Sequence, residues 1–437
     1  MSVYYQTFGC KANQYDTERM RQEAEARGAG TTSDVSGADV VVVNTCTVTN
    51  QADADARRYI RRLHRERPGA QIVVAGCSAA LKADVYREMP GVTSVIAGHD
   101  PVEVAGRVSP ATPVQIELRS SLDRIDSEPI GGELLRTRRD ASRGWLKVQD
   151  GCDRKCSFCA TRLARGESRS RSPEGVVAEA RLLARSHPEL VITGIHIGHY
   201  GVDLEPSWSL SRLLRLLLDE VPDVRFRLGS VEATEVDDLL IDLSAGAGGR
   251  VAPHLHMPLQ SGADPVLKRM RRWHTREQYR VRALEIAERI SPLGLGADVI
   301  TGFPGETAED HEATRSLIEE LPFTYLHVFP YSPRSGTVAA ELPNPVVQRV
   351  SGERSKELRS LVHQKGGAYR ETRVGQTAEV VVEGNGGTAL TGDYLRVGVE
   401  DGDRTRPATP ELRRGTLRGD GDHLYIAWHT ESSVISV

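Results

Sequence analysis

The chain has no long apolar run. Nothing approaches the roughly 18 consecutive residues that a membrane helix needs. The first residues, MSVYYQTFGC, lack a basic segment followed by an apolar core, so no secretory signal is expected there. Aromatic residues are scarce at 5%, while charged residues make up 27%, an ordinary soluble composition. No fixed-period repeat and no low-complexity tract is found. A cytoplasmic protein with no membrane association is expected. There is also no overall excess of positive charge. The formal net charge is −4, which argues against a dedicated nucleic-acid binder. The distribution argues the other way. Residues 57–67 (RRYIRRLHRER), 136–143 (RTRRDASR), 162–171 (RLARGESRSR) and 268–276 (KRMRRWHTR) are local basic stretches, and two lie beside cysteine motifs or their flanking strands. A polyanionic substrate fits that pattern.

Cysteine is sparse too: six residues in 437. In a reducing compartment structural disulfides are uncommon. Cys152, Cys156 and Cys159 are moreover crowded into GCDRKCSFC (151–159), spacing C-x3-C-x2-C. Metal ligation suits such a group better. Three thiolates leave one iron of a four-iron cubane without a protein ligand. An open iron can bind a substrate or cofactor, as an open catalytic zinc site does. A zinc site with a distant fourth ligand remains the alternative at this level, although Phe158 before the last cysteine weighs against it.

The remaining cysteines follow a pattern of strands and helices. VYYQTF, residues 39–44, residues 71–76 and residues 92–98 read as strands. Helices are expected over Tyr15–Arg27, near 53–66 and near 79–89. Alternation of this kind implies a parallel, doubly wound sheet. Cys10, Cys46 and Cys77 each come just after a strand. In such a sheet the carboxyl ends share one edge, where sites form. Three distant cysteines can meet there as a second set of three.

The expected class is α/β with three parts. Residues 1–108 form the doubly wound unit. A linker carrying the strand TPVQIEL spans 109–140. A second series over 141–370 supplies about six strands, at 145–150, 189–194, 224–230, 252–259, 295–301 and 323–329, which predicts a partial (β/α)6 barrel. Residues 373–437 change to short strands with Gly- and Asp-rich turns, which predicts a small antiparallel β-barrel.

The cysteine spacing in its strand-then-loop position resembles the radical S-adenosylmethionine superfamily. GCKANQYDTE (9–18), NTCTVTNQAD (44–53) and GCSAA (76–80) resemble the amino-terminal motifs of its methylthiotransferases. TGIHIGHYG (193–201), HLHMPLQSGADPVLKRMRR (254–272), DVITGFPGET (298–307) and LHVFPYSPRSGT (326–337) resemble their core motifs. The last part is similar to their TRAM domain. The likeness covers nearly the whole chain. It implies that Cys152, Cys156 and Cys159 carry a radical-generating [4Fe–4S] cluster whose open iron chelates S-adenosylmethionine. It implies that Cys10, Cys46 and Cys77 carry an auxiliary [4Fe–4S] cluster presenting the sulfur to be methylated and inserted. An electron donor such as a flavodoxin or ferredoxin is implied as well; the sulfur source is left open. TGIHIGHYG and LHVFPYSPRSGT are similar to those of enzymes that act on N6-threonylcarbamoyladenosine beside the tRNA anticodon. One departure stands after Cys159, where Ala160, Thr161, Arg162 and Leu163 replace the pattern of many bacterial relatives.

Further site residues are expected around these motifs. Gly194, Glu232 and Gln260 lie just past barrel strands and are expected to contact S-adenosylmethionine. Arg162, Arg165, Arg169 and Arg171 flank the cluster and are expected to meet phosphates of the anticodon stem-loop. Tyr394 and Arg396 are expected to stack a base or meet a phosphate, with core packing the alternative for Tyr394. His254 and His256 alternate on one strand; one is expected inside the barrel, with a satisfied structural histidine the alternative to a catalytic one. Two other functions remain. A relative's substrate, isopentenyladenosine in tRNA or an aspartate of a ribosomal protein, is one. A non-catalytic iron–sulfur or zinc RNA-binding protein is the other.

Overall fold

The computed structural model describes residues 1–47, 49–109, 134–383, 386–400 and 411–428. The expected strand TPVQIEL lies outside them. The chain opens with five parallel strands: β1 (Ser2–Thr7), β2 (Gly30–Thr31), β3 (Val40–Thr45), β4 (Gln71–Gly76) and β5 (Val92–Val95). Their order is β2-β1-β3-β4-β5, so the winding reverses between β1 and β3. Period-two side chains build a core on each face. Val3, Val40, Val42 and Val73 pack with Met20 and Val104 on one side. Val41, Val43, Ile72 and Val74 pack with Ile60, Leu63 and Tyr86 on the other. Every residue of β3 is buried, which is why it reads as an unbroken apolar run. The single helix expected near 79–89 is two short ones, Cys77–Leu81 and Ala83–Arg87, because Lys82 between them leaves helical geometry.

The second unit is an open barrel of six parallel strands. β6 (Arg143–Lys147), β9 (Glu189–Thr193) and β10 (Arg225–Leu228) form one ladder, and β11 (His254–His256), β12 (Gly294–Thr301) and β13 (Tyr325–Pro330) form another. Parallel bridges Phe226–Val251 and Ser230–His256 join the two. A two-stranded ribbon, β7 (Gln149–Asp150) with β8 (Arg169–Ser170), brackets the cysteine loop. The outer faces are apolar: Leu146, Leu190, Phe226, Leu255, Leu295 and Leu326 belong to the large core beneath the surrounding helices. The inner faces carry charge. This barrel is polar within and apolar without.

A closed five-stranded barrel ends the chain: β14 (Thr377–Glu383), β15 (Thr388–Thr391), β16 (Arg396–Val399), β17 (Leu412–Gly419) and β18 (Leu424–Trp428). It differs from the expectation in two ways. β15 follows a Gly-Asn-Gly-Gly run that reads as pure turn, and β16 pairs with β18 in parallel. Its turn at residues 391–394 plugs the amino-terminal end of the open barrel. Arg227 donates to the carbonyls of Thr391 at 2.9 Å and Gly392 at 2.8 Å. Gly294 allows the approach, since a Cβ there would lie 2.1 Å from the Asp393 carbonyl oxygen.

Candidate functional site

None of the six cysteines is in a disulfide. Cys152, Cys156 and Cys159 occupy a tight loop at the carboxyl edge of the open barrel. Gly151 makes the loop feasible: its φ is +72°, and a Cβ would sit 1.8 Å from the Glu167 carbonyl oxygen. The Cys152 amide bonds the Gly166 carbonyl at 3.1 Å and the Cys159 amide bonds the Cys156 carbonyl at 3.2 Å. Each sulfur then has its own neighbour. His196 Nδ1 is 3.7 Å from Cys152 Sγ, and its Nε2 is 2.9 Å from Glu235. Arg272 Nη1 is 3.7 Å from Cys156 Sγ and is ion-paired to Glu232. The Thr161 amide points at Cys159 Sγ at 3.4 Å. Donors aimed at sulfurs suit thiolate ligands, and paired outer neighbours fix their orientation. Burial pushes the Cys156 thiol up to about 11, so metal is needed to keep this sulfur ionised near neutrality.

The amino-terminal triad is built differently. Cys10, Cys46 and Cys77 follow β1, β3 and β4, and the first two flank the reversal of the sheet. Gly9 has φ +109°, and a Cβ on it would lie 2.5 Å from Cys46 Sγ. Glycine therefore lets the Cys10 loop close over Cys46. Cys77 Sγ lies 3.3 Å from Arg165 Nε and 3.3 Å from His99 Nε2. Burial pushes this thiol up to about 12 against the pull of Arg165, and burial lowers His99 to about 4, so the imidazole is neutral. Three sulfurs outside any disulfide, with a neutral histidine and an arginine beside Cys77, fit a metal cluster. The two triads face each other. The loop after β13 carries Arg334 between them: its guanidinium donates to the Thr47 carbonyl beside Cys46 and feels the charge of both Cys159 and Cys46. Asn50 Nδ2 bonds the Pro333 carbonyl of the same loop at 2.8 Å.

Below the cysteine loop the inner wall of the open barrel is a polar lumen. At its amino-terminal end Glu189 receives Arg225 Nε at 2.7 Å and Arg227 Nε at 2.8 Å. Burial alone would raise the Glu189 carboxyl, but Arg227 and Arg225 hold it far below the usual range. Above that layer Tyr325 Oη lies 2.8 Å from His254 Nε2 and 3.0 Å from His256 Nδ1. Next, Asp298 Oδ1 lies 3.3 Å from His256 Nε2 and 3.2 Å from His327 Nδ1. Burial would raise Asp298, while those two hydrogen bonds hold it ionised. Helix Lys11–Ala26 lies against β6, the open side of this barrel, with the Lys11 ammonium 5.9 Å from the Trp145 ring. Burial, then Arg143 and Arg227, lowers Lys11 to about 8.

Several expected contacts fall elsewhere. Arg165 is not a phosphate contact. Its side chain is 1% exposed and binds Asp16 and Asp150 at 2.8 Å each and Asn13 at 2.6 Å. Arg171 is fully buried against Glu179 at 2.9 Å. Arg165 closes the short helix Thr161–Arg165 and Arg171 follows β8, and each turns inward to a buried carboxylate. Tyr394 is half-buried and stacks on His254 with centroids 4.2 Å apart, so it closes the lumen rather than offering a face to a base. Arg162 and Arg169 are accessible, and exposed Arg396 reaches Glu383 at 3.3 Å. Gly194, Glu232 and Gln260 lie along the carboxyl edge of the barrel. Gly194 backs onto Gln149, whose Oε1 accepts from the amides of Ile195 and His196 at 3.1 and 2.8 Å. Gln260 adopts φ +66° as its backbone leaves β11. Trp273 lies between Arg154 and Arg272 at 4.2 and 4.3 Å beside the cysteine loop. Lys11, Asp298 and His327 were not singled out; the alternating patterns RFR, HLH and YLHVF carried the signal for an inward polar wall.

Comparison with known proteins agrees with this arrangement. Residues 2–98 match the profile of the uncharacterized protein family UPF0004, and residues 146–318 match that of the Radical SAM superfamily. The threonylcarbamoyladenosine tRNA methylthiotransferase MtaB of Bacillus subtilis is 36% identical over 396 residues, covering 87% of this chain and 85% of that protein. The tRNA-2-methylthio-N(6)-dimethylallyladenosine synthase of the same organism is 32% identical over 394 residues, covering 87% and 76%. Among solved structures, the radical S-adenosylmethionine methyltransferase TsrM from Kitasatospora setae superposes with a TM-score of 0.55 at 18% identity, covering 78% of this chain and 77% of that one, a likeness of fold. With 36% identity spread across both cysteine-bearing units, the chain belongs to the radical SAM methylthiotransferase family.

Proposed function

We propose that this enzyme places a methylthio group on C2 of N6-threonylcarbamoyladenosine at position 37 of tRNA, beside the anticodon. The observation that carries the nucleoside is the lumen. A wall of Tyr325, His254, His256, Asp298 and His327 suits a substituent bearing a carbamoyl, a hydroxyl and a carboxylate. An isopentenyl tail would offer those groups no hydrogen bond in exchange for the water it displaces, at about 1–3 kcal/mol for each polar atom left desolvated. The relatives named for threonylcarbamoyladenosine point the same way.

Cys152, Cys156 and Cys159 would hold the [4Fe–4S] cluster that the superfamily uses with S-adenosylmethionine to generate a carbon radical. Cys10, Cys46 and Cys77 would hold the second cluster, in residues 1–108. The protein's own residues do the positioning. His196 and Arg272 orient the sulfurs of the first triad, Arg165 locks Cys77 to the barrel, and the Arg334 loop keeps the triads facing. Gly194, Glu232 and Gln260 line the edge where the cofactor would bind. Residues 141–370 are the catalytic core in this reading, and 373–437 a buttress beneath it. Exposed Arg58, Arg61, Arg62 and Arg65 line a cavity of about 640 Å³ and, with Arg162 and Arg169, offer phosphate contacts for the anticodon stem-loop. Among the described residues no helix is long and apolar enough to cross a membrane, and the reaction is assigned to the cytoplasm with a flavodoxin or ferredoxin as reductant.

Nucleoside mass spectrometry of tRNA from a deletion strain tests the proposal. Loss of the 2-methylthio derivative of threonylcarbamoyladenosine is expected. An unchanged profile overturns it, and loss of the isopentenyl derivative instead would transfer the enzyme to that substrate.

A further inference from the structure

Lys11 differs from the cations around it. Lys147 pairs with Asp16 at 2.7 Å and Asp150 at 2.9 Å. Arg225 and Arg227 share Glu189, and Arg143 holds Glu383 at 2.8 Å. The Lys11 ammonium has no ion pair or hydrogen bond among the described residues; its nearest recorded partner is the Trp145 ring. It is not sealed in. It lines a cavity of about 370 Å³ with Gln14, Arg138, Ser142, Arg143 and Trp145. On the lumen side it acts electrostatically on His254, together with Arg227.

The carboxylates nearby belong to other cations. Glu189 is shared by Arg225 and Arg227, Glu383 is held by Arg143, Glu379 lies 3.8 Å from Arg225, Glu18 acts on Arg138, and Asp140 is exposed at the rim. A largely buried cation without a counter-ion of its own is costly, and an anion entering the cavity would supply one. Lys11 also directly follows Cys10, about 3.8 Å along the backbone from a ligand of the second triad. From there its side chain reaches the Arg227 and His254 layer, so an anion it binds lies in the lumen below that triad. C2 and N6 of adenine lie on the same edge of one ring. A nucleoside with C2 near that triad extends its N6 substituent a few ångströms further, toward the lumen.

We infer that Lys11 binds the carboxylate of the N6-threonylcarbamoyl group and is a specificity-determining residue of the enzyme. The inference rests on the proposed nucleoside. A backbone phosphate is the other anion at hand, but the ammonium lies between an indole face and the inner wall, where a planar carboxylate on a flexible tail enters more easily than a phosphodiester. The isopentenyl group has no charge to satisfy Lys11, so the same residue that favours one nucleoside rejects the other.

The test uses the reconstituted full-length enzyme and a synthetic anticodon stem-loop with threonylcarbamoyladenosine, either as the free acid or as its methyl ester. Lys11→Gln keeps the length of the side chain and removes its charge; Lys11→Arg keeps the charge. Wild type is expected to prefer acid over ester by roughly 10–100-fold in kcat/KM, the scale of a charged hydrogen bond. Lys11→Gln should lose about that factor on the acid and treat acid and ester alike, and Lys11→Arg should recover part of it. Iron content and thermal midpoint of both variants, measured alongside, establish that they fold and load. A Lys11→Gln enzyme that still discriminates acid from ester as wild type does overturns the inference, and so does a wild type indifferent to esterification. A wild type inactive on the acid stem-loop sinks the proposed nucleoside itself, which separates the two failures.

Discussion

Arg165 offers a sharp contrast between two roles for one residue, because sequence pattern puts it on the RNA and geometry puts it in the interior. Replacing it with alanine removes contacts to Asp16 and Asp150 at 2.8 Å each, to Asn13 at 2.6 Å and to Cys77 Sγ at 3.3 Å. Lys147 alone would then face both carboxylates. Breaking a buried pair by deleting one partner costs about 3–5 kcal/mol. For folding units of this size that corresponds to a fall in Tm of roughly 6–20 °C. The loss also cuts the tie between the helix after Cys10 and the short helix Thr161–Arg165 after Cys159. Iron should therefore fall from about eight toward about four per chain, as a cubane is lost. The assays are thermal unfolding under anaerobic conditions, iron quantitation and tRNA affinity across a salt series. A phosphate contact would instead leave Tm and iron unchanged and lower the slope of log K against log salt by about 0.9. That second outcome would refute the interior role. Arg169→Ala, at an exposed site, is the matched control and should show the salt-slope behaviour.

Two further perturbations probe the lumen and the cysteine loop. Glu189→Gln removes the charge shared by Arg225 and Arg227 and should cost about 3 kcal/mol at pH 7. Since the folded carboxyl titrates far below its usual 4.5, its stabilisation is complete above that value and is lost as pH falls beneath it. The gap in Tm between wild type and variant should thus shrink from pH 7 to pH 3; a constant gap would contradict the ion-pair account. Gly151→Ala and Gly166→Ala share a positive φ but differ in space. The first Cβ would strike the Glu167 carbonyl oxygen at 1.8 Å, and the second meets nothing within 4 Å. Only Gly151→Ala should abolish cleavage of S-adenosylmethionine, whereas Gly166→Ala, at φ +77° and ψ −156°, should cost about 1–3 kcal/mol of stability and keep the activity.

The parts legible from sequence share a physical cause. Cys10, Cys46 and Cys77 could be grouped because parallel strands place their carboxyl ends on one edge, and that rule needs no contact information. The six barrel strands were visible because their outer faces are apolar. The failures share a cause as well. Charge was read as exposure, so Arg165 and Arg171 were sent to RNA, and the inward charges of β6, β10, β12 and β13 were passed over. In an ordinary barrel the inner face is the core, and a polar residue there is an anomaly. Here the plug at residues 391–394, the helix after Cys10 and the ring of arginines around Glu189 turn the inner face into a chamber. Composition cannot distinguish an arginine that faces water from one that faces such a chamber. The alternation can: RFR, HLH and YLH place a polar side chain at every second position of strands whose intervening positions are buried and apolar. A strand with one apolar face and one charged face, inside a barrel already covered by helices on its apolar side, turns its charges into the lumen, which opens to solvent at His327. Below that mouth they must meet one another or a ligand. Most of them do meet one another; Lys11, reaching in from the helix against β6, has no ion pair among the described residues, which is why the proposed anion is assigned to it.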